Sequence, residues 1–312
     1  MIVPVVDFSA YNLSKRDADG EELQSLSEEL KAAFSQVGFV FLKNSGISQE
    51  EVERAMESSK RFFLQPEELK KRFSRKSFPN NPNHGWVSME TERLNPSQPG
   101  DLKEAFNASQ LLSVLQKWPS SDAVRDFREI HTAFFQRCQE LSLRVLRVMA
   151  QSLSLDPAVF LNAHQFIGTD ENGTTLRSLY YPPLKSETVN EGQLRCGEHS
   201  DYGSITLLFQ GSEGLQVCTR AGEFISTPSI PGTVLVNVAD LMQRWTSDQL
   251  LSVRHRVLLP PVGDSSTRQS LAYFVQPDNE ALITCCDGSN KYPPVTGGDY
   301  LLQRFSESYG KN

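Results

Sequence analysis

The sequence is short of the features that mark several large protein classes. Its 312 residues include five cysteines, Cys138, Cys196, Cys218, Cys285 and Cys286. They are odd in number and scattered, which fits neither a disulfide framework nor a Cys-x-x-Cys zinc site, so a reducing, cytoplasmic setting is expected. No apolar run approaches the roughly 18 residues that a membrane helix needs. Residues 1–7 lack the basic and long apolar segments of a signal peptide, so none is expected. Basic residues are outnumbered, 31 Lys+Arg against 38 Asp+Glu for a net charge of −7, which argues against a general nucleic-acid binder. One basic stretch, Lys70-Lys71-Arg72 to Arg75-Lys76, reads as a solvated helix end. There is no Gly-x-Gly-x-x-Gly after a strand and no Walker-type loop, so nucleotide folds drop out. Repeats and low-complexity tracts are missing too. What remains, 38% hydrophobic and 22% charged, is the composition of an ordinary globular chain with length for a sizeable core.

Periodicity divides the chain. Residues 17–37 carry Leu23, Leu26, Leu30, Ala33, Phe34 and Val37 at three- and four-residue intervals, an amphipathic helix that Gly38 is placed to end. Phe39-Val40-Phe41-Leu42 reads as a short buried strand. A second helix opens at Ser48, with Glu51 at the capping-box spacing, and stops near Pro66. Residues 77–120 are rich in Pro, Asn, Ser and Gly and are expected to be a long irregular segment, of the kind that is often functional. Residues 122–153 give the strongest helix. Beyond about residue 160, short strand-like segments recur every 8 to 12 residues, at 175–181, 193–198, 204–209, 215–218, 233–238, 256–259, 270–276 and 281–284. That spacing predicts an antiparallel sandwich or barrel, giving an α+β, mainly β chain with a helical N-terminal region packed on a jelly roll.

Histidine is scarce as well: His84, His131, His164, His199 and His255. One lies in Gly197-Glu198-His199-Ser200-Asp201 at the end of an expected strand. Alternate strand residues share a face, so His199 and Asp201 can converge on one ion. His255, 54 residues after Asp201, starts another strand and is the candidate third ligand, with a packed imidazole as the competing reading. Two imidazoles and a carboxylate form the facial set of non-haem Fe(II) oxygenases, which leaves positions open for substrate and O₂. Thirteen residues after His255 comes Arg268-Gln269-Ser270. Arg268 and Ser270 share parity, so both can face the metal's cavity, where a guanidinium fork beside a hydroxyl suits a carboxylate. Tyr181 can add a phenolic hydrogen bond from a neighbouring strand. A surface ion pair between Arg268 and Asp264 is the alternative.

In this order and at these distances, His199-x-Asp201, His255 and Arg268-x-Ser270 resemble the 2-oxoglutarate/Fe(II)-dependent dioxygenases. Within them the chain is similar to the subgroup around isopenicillin N synthase, the plant flavonoid and gibberellin oxygenases and thymine hydroxylase. The likeness covers nearly the whole chain, from Val3-Pro4-Val5-Val6-Asp7 and Gly38-Phe39-Val40-Phe41 through Gly100-Asp101-Leu102-Lys103-Glu104 to Tyr180-Tyr181-Pro182-Pro183 and Gln243-Arg244-Trp245-Thr246. The resemblance implies a double-stranded β-helix (jelly-roll) core at 161–290, an N-terminal region at 1–120, a scaffold helix at 121–160 and a C-terminal segment at 291–312 that could act as a lid. It implies Fe(II) on His199, Asp201 and His255, with 2-oxoglutarate as co-substrate held by Arg268, Ser270 and Tyr181. It places Phe274 and Arg177 against the substrate, and Leu179 belongs to the same apolar wall. Leu179 also departs from the plant pattern, which has Asn there, and the loop Gly263-Asp264-Ser265-Ser266 lengthens the gap between His255 and Arg268 while touching no ligand.

The activity so implied is O₂- and 2-oxoglutarate-dependent hydroxylation, or a related C–H oxidation, of a small molecule, giving succinate and CO₂. A monomer without nucleic-acid or membrane partners is expected. Two alternatives stay open from sequence: an Fe(II) oxidase of the same fold that does not use 2-oxoglutarate, and a non-catalytic jelly-roll binding protein. A zinc hydrolase fits poorly, because Glu198, the acid next to the triad, has the wrong strand parity to face the metal.

Overall fold

The computed structural model describes residues 2–16, 20–77, 83–112, 117–184 and 189–309. Helix α1 (Gly20–Gln36) buries the predicted leucine stripe, and residues 17–19 of the expected helix lie outside the described residues. Gly38 closes it at φ +76°, where an added Cβ would meet the Leu251 carbonyl oxygen at 2.5 Å, so only glycine fits this turn. Helix α2 (Gln49–Phe63) starts with both halves of the capping box: Ser48 Oγ accepts from the Glu51 N–H at 3.1 Å, and Glu51 Oε2 accepts from the Ser48 N–H at 2.7 Å. The short α3 (Glu67–Lys71) follows, then the long α4 (Phe127–Ser152), the short α5 (Ala158–Leu161) and α6 (Asp240–Trp245), and the C-terminal α7 (Gly297–Tyr309).

The strands are β1 (Val5–Asp7), β2 (Phe39–Lys43), β3 (Gly85–Val87), β4 (Glu104–Ser109), β5 (Thr175–Tyr181), β6 (Cys196–His199), β7 (Ile205–Gln210), β8 (Leu215–Cys218), β9 (Phe224–Ser226), β10 (Thr233–Val238), β11 (His255–Val257), β12 (Arg268–Val275), and a small ribbon of β13 (Leu282–Ile283) and β14 (Val295–Thr296). Eight of them form one sheet in the order β1-β2-β10-β7-β12-β5-β4-β3, and β6-β11-β8-β9 form a second. The two sheets are the jelly-roll core.

Strand parity sorts the side chains between two cores. Val40, Leu42, Leu207, Val236, Leu271 and Tyr273 pack against the helices with Leu30, Leu141 and Val145. The alternate residues Phe39, Phe41, Leu179, Leu235 and Ala272 turn the other way and meet Leu215, Val217 and Val257 of the second sheet. The large sheet is thus buried on both faces, so its strands read as apolar runs rather than alternating ones.

The N-terminal region, expected as helices with a little strand, supplies β1 and β2 at one end of the large sheet and β3 and β4 at the other. Two expectations need correction. Both β3 and β4 fall within the stretch expected to be irregular. All six residues of β4 are buried, so it has none of the alternation that announces a half-exposed strand. The basic stretch near residue 70 is not wholly solvated either. Lys70 is buried, with its ammonium 2.6 Å from Glu104 Oε2 and over the Trp86 ring.

Candidate active site

Strands β6 and β11 pair antiparallel with His255 directly opposite His199, and Asp201 follows two residues later. The imidazole rings are 4.3 Å apart between centroids. Asp201 Oδ1 stands 3.7 Å from His199 Nε2 and 3.6 Å from His255 Nε2, and one ligand atom from each residue lies within 4.8 Å of the others. Each ring's Nδ1–H donates to a carbonyl, His199 to Gly197 at 2.8 Å and His255 to Val253 at 3.1 Å. That choice of tautomer leaves both Nε2 lone pairs aimed at the shared space. The carboxylate is held as firmly: Thr206 Oγ1 and Asn237 Nδ2 both donate to Asp201 Oδ2 at 2.7 Å, so Oδ1 is the oxygen left to bind. Burial opposes ionisation of Asp201, but the two imidazoles and these hydrogen bonds outweigh it and keep its carboxyl below the ordinary range. Burial and the neighbouring His199 push His255 the other way, toward the neutral form that ligates. Two imidazoles and one monodentate carboxylate on one side fit Fe(II) and leave its other side open.

Two cavities meet at this triad. The first, with about 480 Å³ of empty space, is lined by Leu179, Tyr181, Leu208, Arg268, Ser270 and Phe274 along with the three ligands. Across β5 and β12, Arg268 pairs with Tyr181 and Ser270 with Leu179. The Arg268 guanidinium is buried, donates to the Glu213 carbonyl, Ser270 Oγ and Gln210 Oε1, and lies over the Tyr181 ring. No carboxylate among the described residues lies within ion-pair distance of it, and Asp264 is not its partner. A buried guanidinium without an internal acid is stable where a ligand anion supplies the charge.

The second cavity, about 610 Å³, is lined by Arg177, Glu92, Asn83, Asn107, Tyr202 and Phe274, and it is roofed by Leu301 and Phe305 of α7. His199, Asp201 and Phe274 belong to both cavities. Arg177 is not a lone substrate anchor: its Nη2 lies 2.5 Å from Glu92 Oε2. Glu92 is also 3.4 Å from Lys103, which pairs with Asp101, and Asp101 Oδ1 accepts from the Gly197 N–H at 2.9 Å. Leu179 lines the Arg268 cavity and not this one. Glu198 turns away from the triad to Arg254, as its parity requires.

The other histidines are packed imidazoles. Burial pushes His84, His131 and His164 down to about 4, which keeps them neutral.

A family model described as the 2OG-Fe(II) oxygenase superfamily matches residues 172–277, and one described as the non-haem dioxygenase in morphine synthesis N-terminal matches 3–128. The proline hydroxylase buaE of Petromyces alliaceus is 31% identical, over 94% of this chain and 96% of that protein. The chain belongs to the 2OG-Fe(II) oxygenase superfamily. It is a 2-oxoglutarate- and Fe(II)-dependent dioxygenase. The validamycin A dioxygenase of Streptomyces hygroscopicus subsp. limoneus is 32% identical over 97% of this chain and 85% of that protein. The full-length thymine hydroxylase of Neurospora crassa, in complex with alpha-KG, superposes with a TM-score of 0.84 at 32% identity, covering 97% and 96% of the two chains. A second structure of that hydroxylase, holding alpha-KG and thymine, gives 0.84 at 31% over 98% and 96%.

For an oxygenase of this kind, the sequence reading missed the residues that orient the ligands and those that shape the second cavity. Asn237 had a signal, since it is the one amide in the apolar run Val234-Leu235-Val236-Asn237-Val238, and a buried amide needs a partner. Glu92 and Asn107 lie in the 77–120 stretch and Leu301 and Phe305 in the C-terminal segment expected as a possible lid, but none was singled out, because only the folded chain brings them to one place.

Proposed function

We propose that His199, Asp201 and His255 hold the iron, that Arg268, Ser270 and Tyr181 take the distal carboxylate of 2-oxoglutarate, and that the Arg177 cavity receives a small, uncharged polar substrate for hydroxylation. The observation that carries this reading is that the two cavities share His199, Asp201 and Phe274, so a molecule in each would meet at the metal. Iron with 2-oxoglutarate and O₂ supplies the oxidising power for C–H hydroxylation, with succinate and CO₂ as co-products. The chain's task is placement. Phe274 separates the two molecules, and Leu301 and Phe305 keep water off the reacting face.

The chemistry of the second cavity supports the substrate class. Glu92 already neutralises Arg177, which disfavours a carboxylate there. The pair offers donors and acceptors side by side, and the Oδ1 of buried Asn107, opposite Arg177 on β4, has no hydrogen-bond partner among the described residues. Such a set complements an amide- or imide-like edge carrying N–H beside C=O. Structures of the Neurospora crassa hydroxylase hold thymine and 5-formyluracil, uncharged molecules with that kind of edge. The free thiols support a cytoplasmic setting.

The test is substrate-stimulated consumption of 2-oxoglutarate across a panel of pyrimidine bases, lactams, amino acids and carboxylic acids. Stimulation by the uncharged cyclic amides is expected. A preference for carboxylates would sink the substrate reading and leave the site assignment standing.

A further inference from the structure

The loop Gly263-Asp264-Ser265-Ser266, which lengthens the connection between His255 and Arg268, touches no metal ligand but does touch Arg195. Asp264 Oδ1 accepts from the Ser266 N–H at 2.7 Å, and the Asp264 N–H donates to the Pro261 carbonyl at 2.9 Å, which fixes the shape of the loop. So fixed, the Ser266 carbonyl accepts from Arg195 Nη2 at 2.8 Å.

Arg195 immediately precedes β6 and is only 4% exposed. Among the described residues its Nε has no hydrogen-bond partner and no carboxylate lies within ion-pair distance. Its guanidinium carbon is 5.9 Å from the centroid of the Tyr181 ring, and that of Arg268 is 4.9 Å from the same centroid. Two buried cations therefore share one tyrosine, and among the described residues no acid lies within ion-pair distance of either. Burial and the charge of Arg268 work against the charge on Arg195, while Tyr181 and Asp264 favour it more weakly. Like charges buried this close cost stability, and an anion in the Arg268 cavity relieves that cost. Arg195 does not line that cavity, so it acts on the anion through the tyrosine and through its field.

We propose that Arg195, braced by the 263–266 loop, is a positioning residue for the co-substrate: it fixes the Tyr181 ring against Arg268 and adds a second positive charge behind the distal carboxylate of 2-oxoglutarate. The inference rests on the placement of 2-oxoglutarate in the Arg268 cavity, and the experiment separates the two claims.

Fe(II)-loaded protein is titrated anaerobically with 2-oxoglutarate and followed at the visible charge-transfer band, with pyruvate, which has the keto-acid end but no distal carboxylate, as a second probe. Arg195→Met is expected to raise the Kd for 2-oxoglutarate about tenfold, to leave the Kd for pyruvate unchanged and to leave iron binding intact. Arg195→Lys keeps the charge but loses the planar fork, so it should fall between parent and Met. In a Tyr181→Phe background, which keeps the ring, the Met substitution should still weaken binding. In a Tyr181→Ala background its further effect should fall to about threefold or less, because the route through the ring is gone and only the field of the charge remains. An unchanged Kd in Arg195→Met, while Arg268→Met weakens binding strongly, overturns the role of Arg195 alone. Equal weakening of pyruvate and 2-oxoglutarate makes Arg195 merely structural and also overturns it. An undiminished tenfold effect without the ring overturns the route through Tyr181. If Arg268→Met itself leaves 2-oxoglutarate binding untouched, the co-substrate placement fails first. Should Arg195→Met not fold, Asp264→Ala releases the brace with Arg195 in place and is expected to weaken 2-oxoglutarate, not pyruvate, by about threefold.

Discussion

The cavity around Arg268 is lined, Phe39 apart, by residues between Leu179 and Phe274, all within the jelly roll. The cavity around Arg177 instead takes Asn83, Glu92, Leu94 and Asn107 from the first third of the chain and Leu301 and Phe305 from its last helix. Yet the same faces of β5 and β12 run through both, with Tyr181 and Arg268 at one end and Arg177 and Phe274 at the other. A cavity built on strands has its lining fixed by parity and register, whereas one completed by loop and terminal segments can vary without disturbing those strands. The His199, Asp201 and His255 triad lies on the seam between the two.

That contrast can be tested by substitutions on either side of the seam. Asp201→Ala removes the one carboxylate of the triad, and iron binding measured by metal analysis should vanish, with turnover falling by ~10³-fold or more. Glu92→Gln removes the buried carboxylate that Arg177 and Lys103 share, and should cost about 3–5 kcal/mol in chemical denaturation, with residual activity shifted toward carboxylate substrates. A variant with wild-type stability would show that the pair is not the buried structural element its geometry indicates. Asn237→Ala frees one hydrogen bond from Asp201 Oδ2, so iron affinity should drop by about 10–100-fold while the fold persists. Phe305→Ala opens the roof of the substrate cavity only. It should raise KM for substrate by about tenfold and leave the 2-oxoglutarate Kd unchanged, and a change in both would break the division between the cavities. Ser48→Ala, far from either, should cost about 1 kcal/mol through the lost cap on α2 and leave both constants alone.

The same contrast explains what could be read in the sequence. Arg268-x-Ser270 was legible because both residues share one face of β12, and His199-x-Asp201 because its spacing is local, although β6 ends at His199 and Asp201 lies just beyond it; the pairing of His255 with His199 and of Arg268 with Tyr181 follows from strand geometry. The leucine stripe of α1 and the Ser48–Glu51 cap were legible for the same reason, since a local period or a local spacing carries them. Strand β4 was not: its residues are buried on both faces and mix Glu, Asn and Ser with Ala and Phe, so no period survives. Lys70 misled because a charged run reads as solvated, whereas its ammonium is held by Glu104 from another element 34 residues away. The Arg177–Glu92 pair spans 85 residues and has no local trace at all.

The order of the large sheet has a consequence for how this chain comes to be folded. Its two flanks, β1-β2 and β4-β3, are made first, but their neighbours β10 and β5 arrive only later in synthesis. The strand Phe39–Lys43 waits for Thr233–Val238, and Glu104–Ser109 waits for Thr175–Tyr181. Until then the early segments present unpaired edges to their surroundings, so folding should be slow, should depend on nearly the full chain having emerged, and should be most prone to aggregation before Val238 is made. The N-terminal third is therefore not a detachable module, and cutting the chain at the boundary between its two family regions should leave neither half able to complete the large sheet.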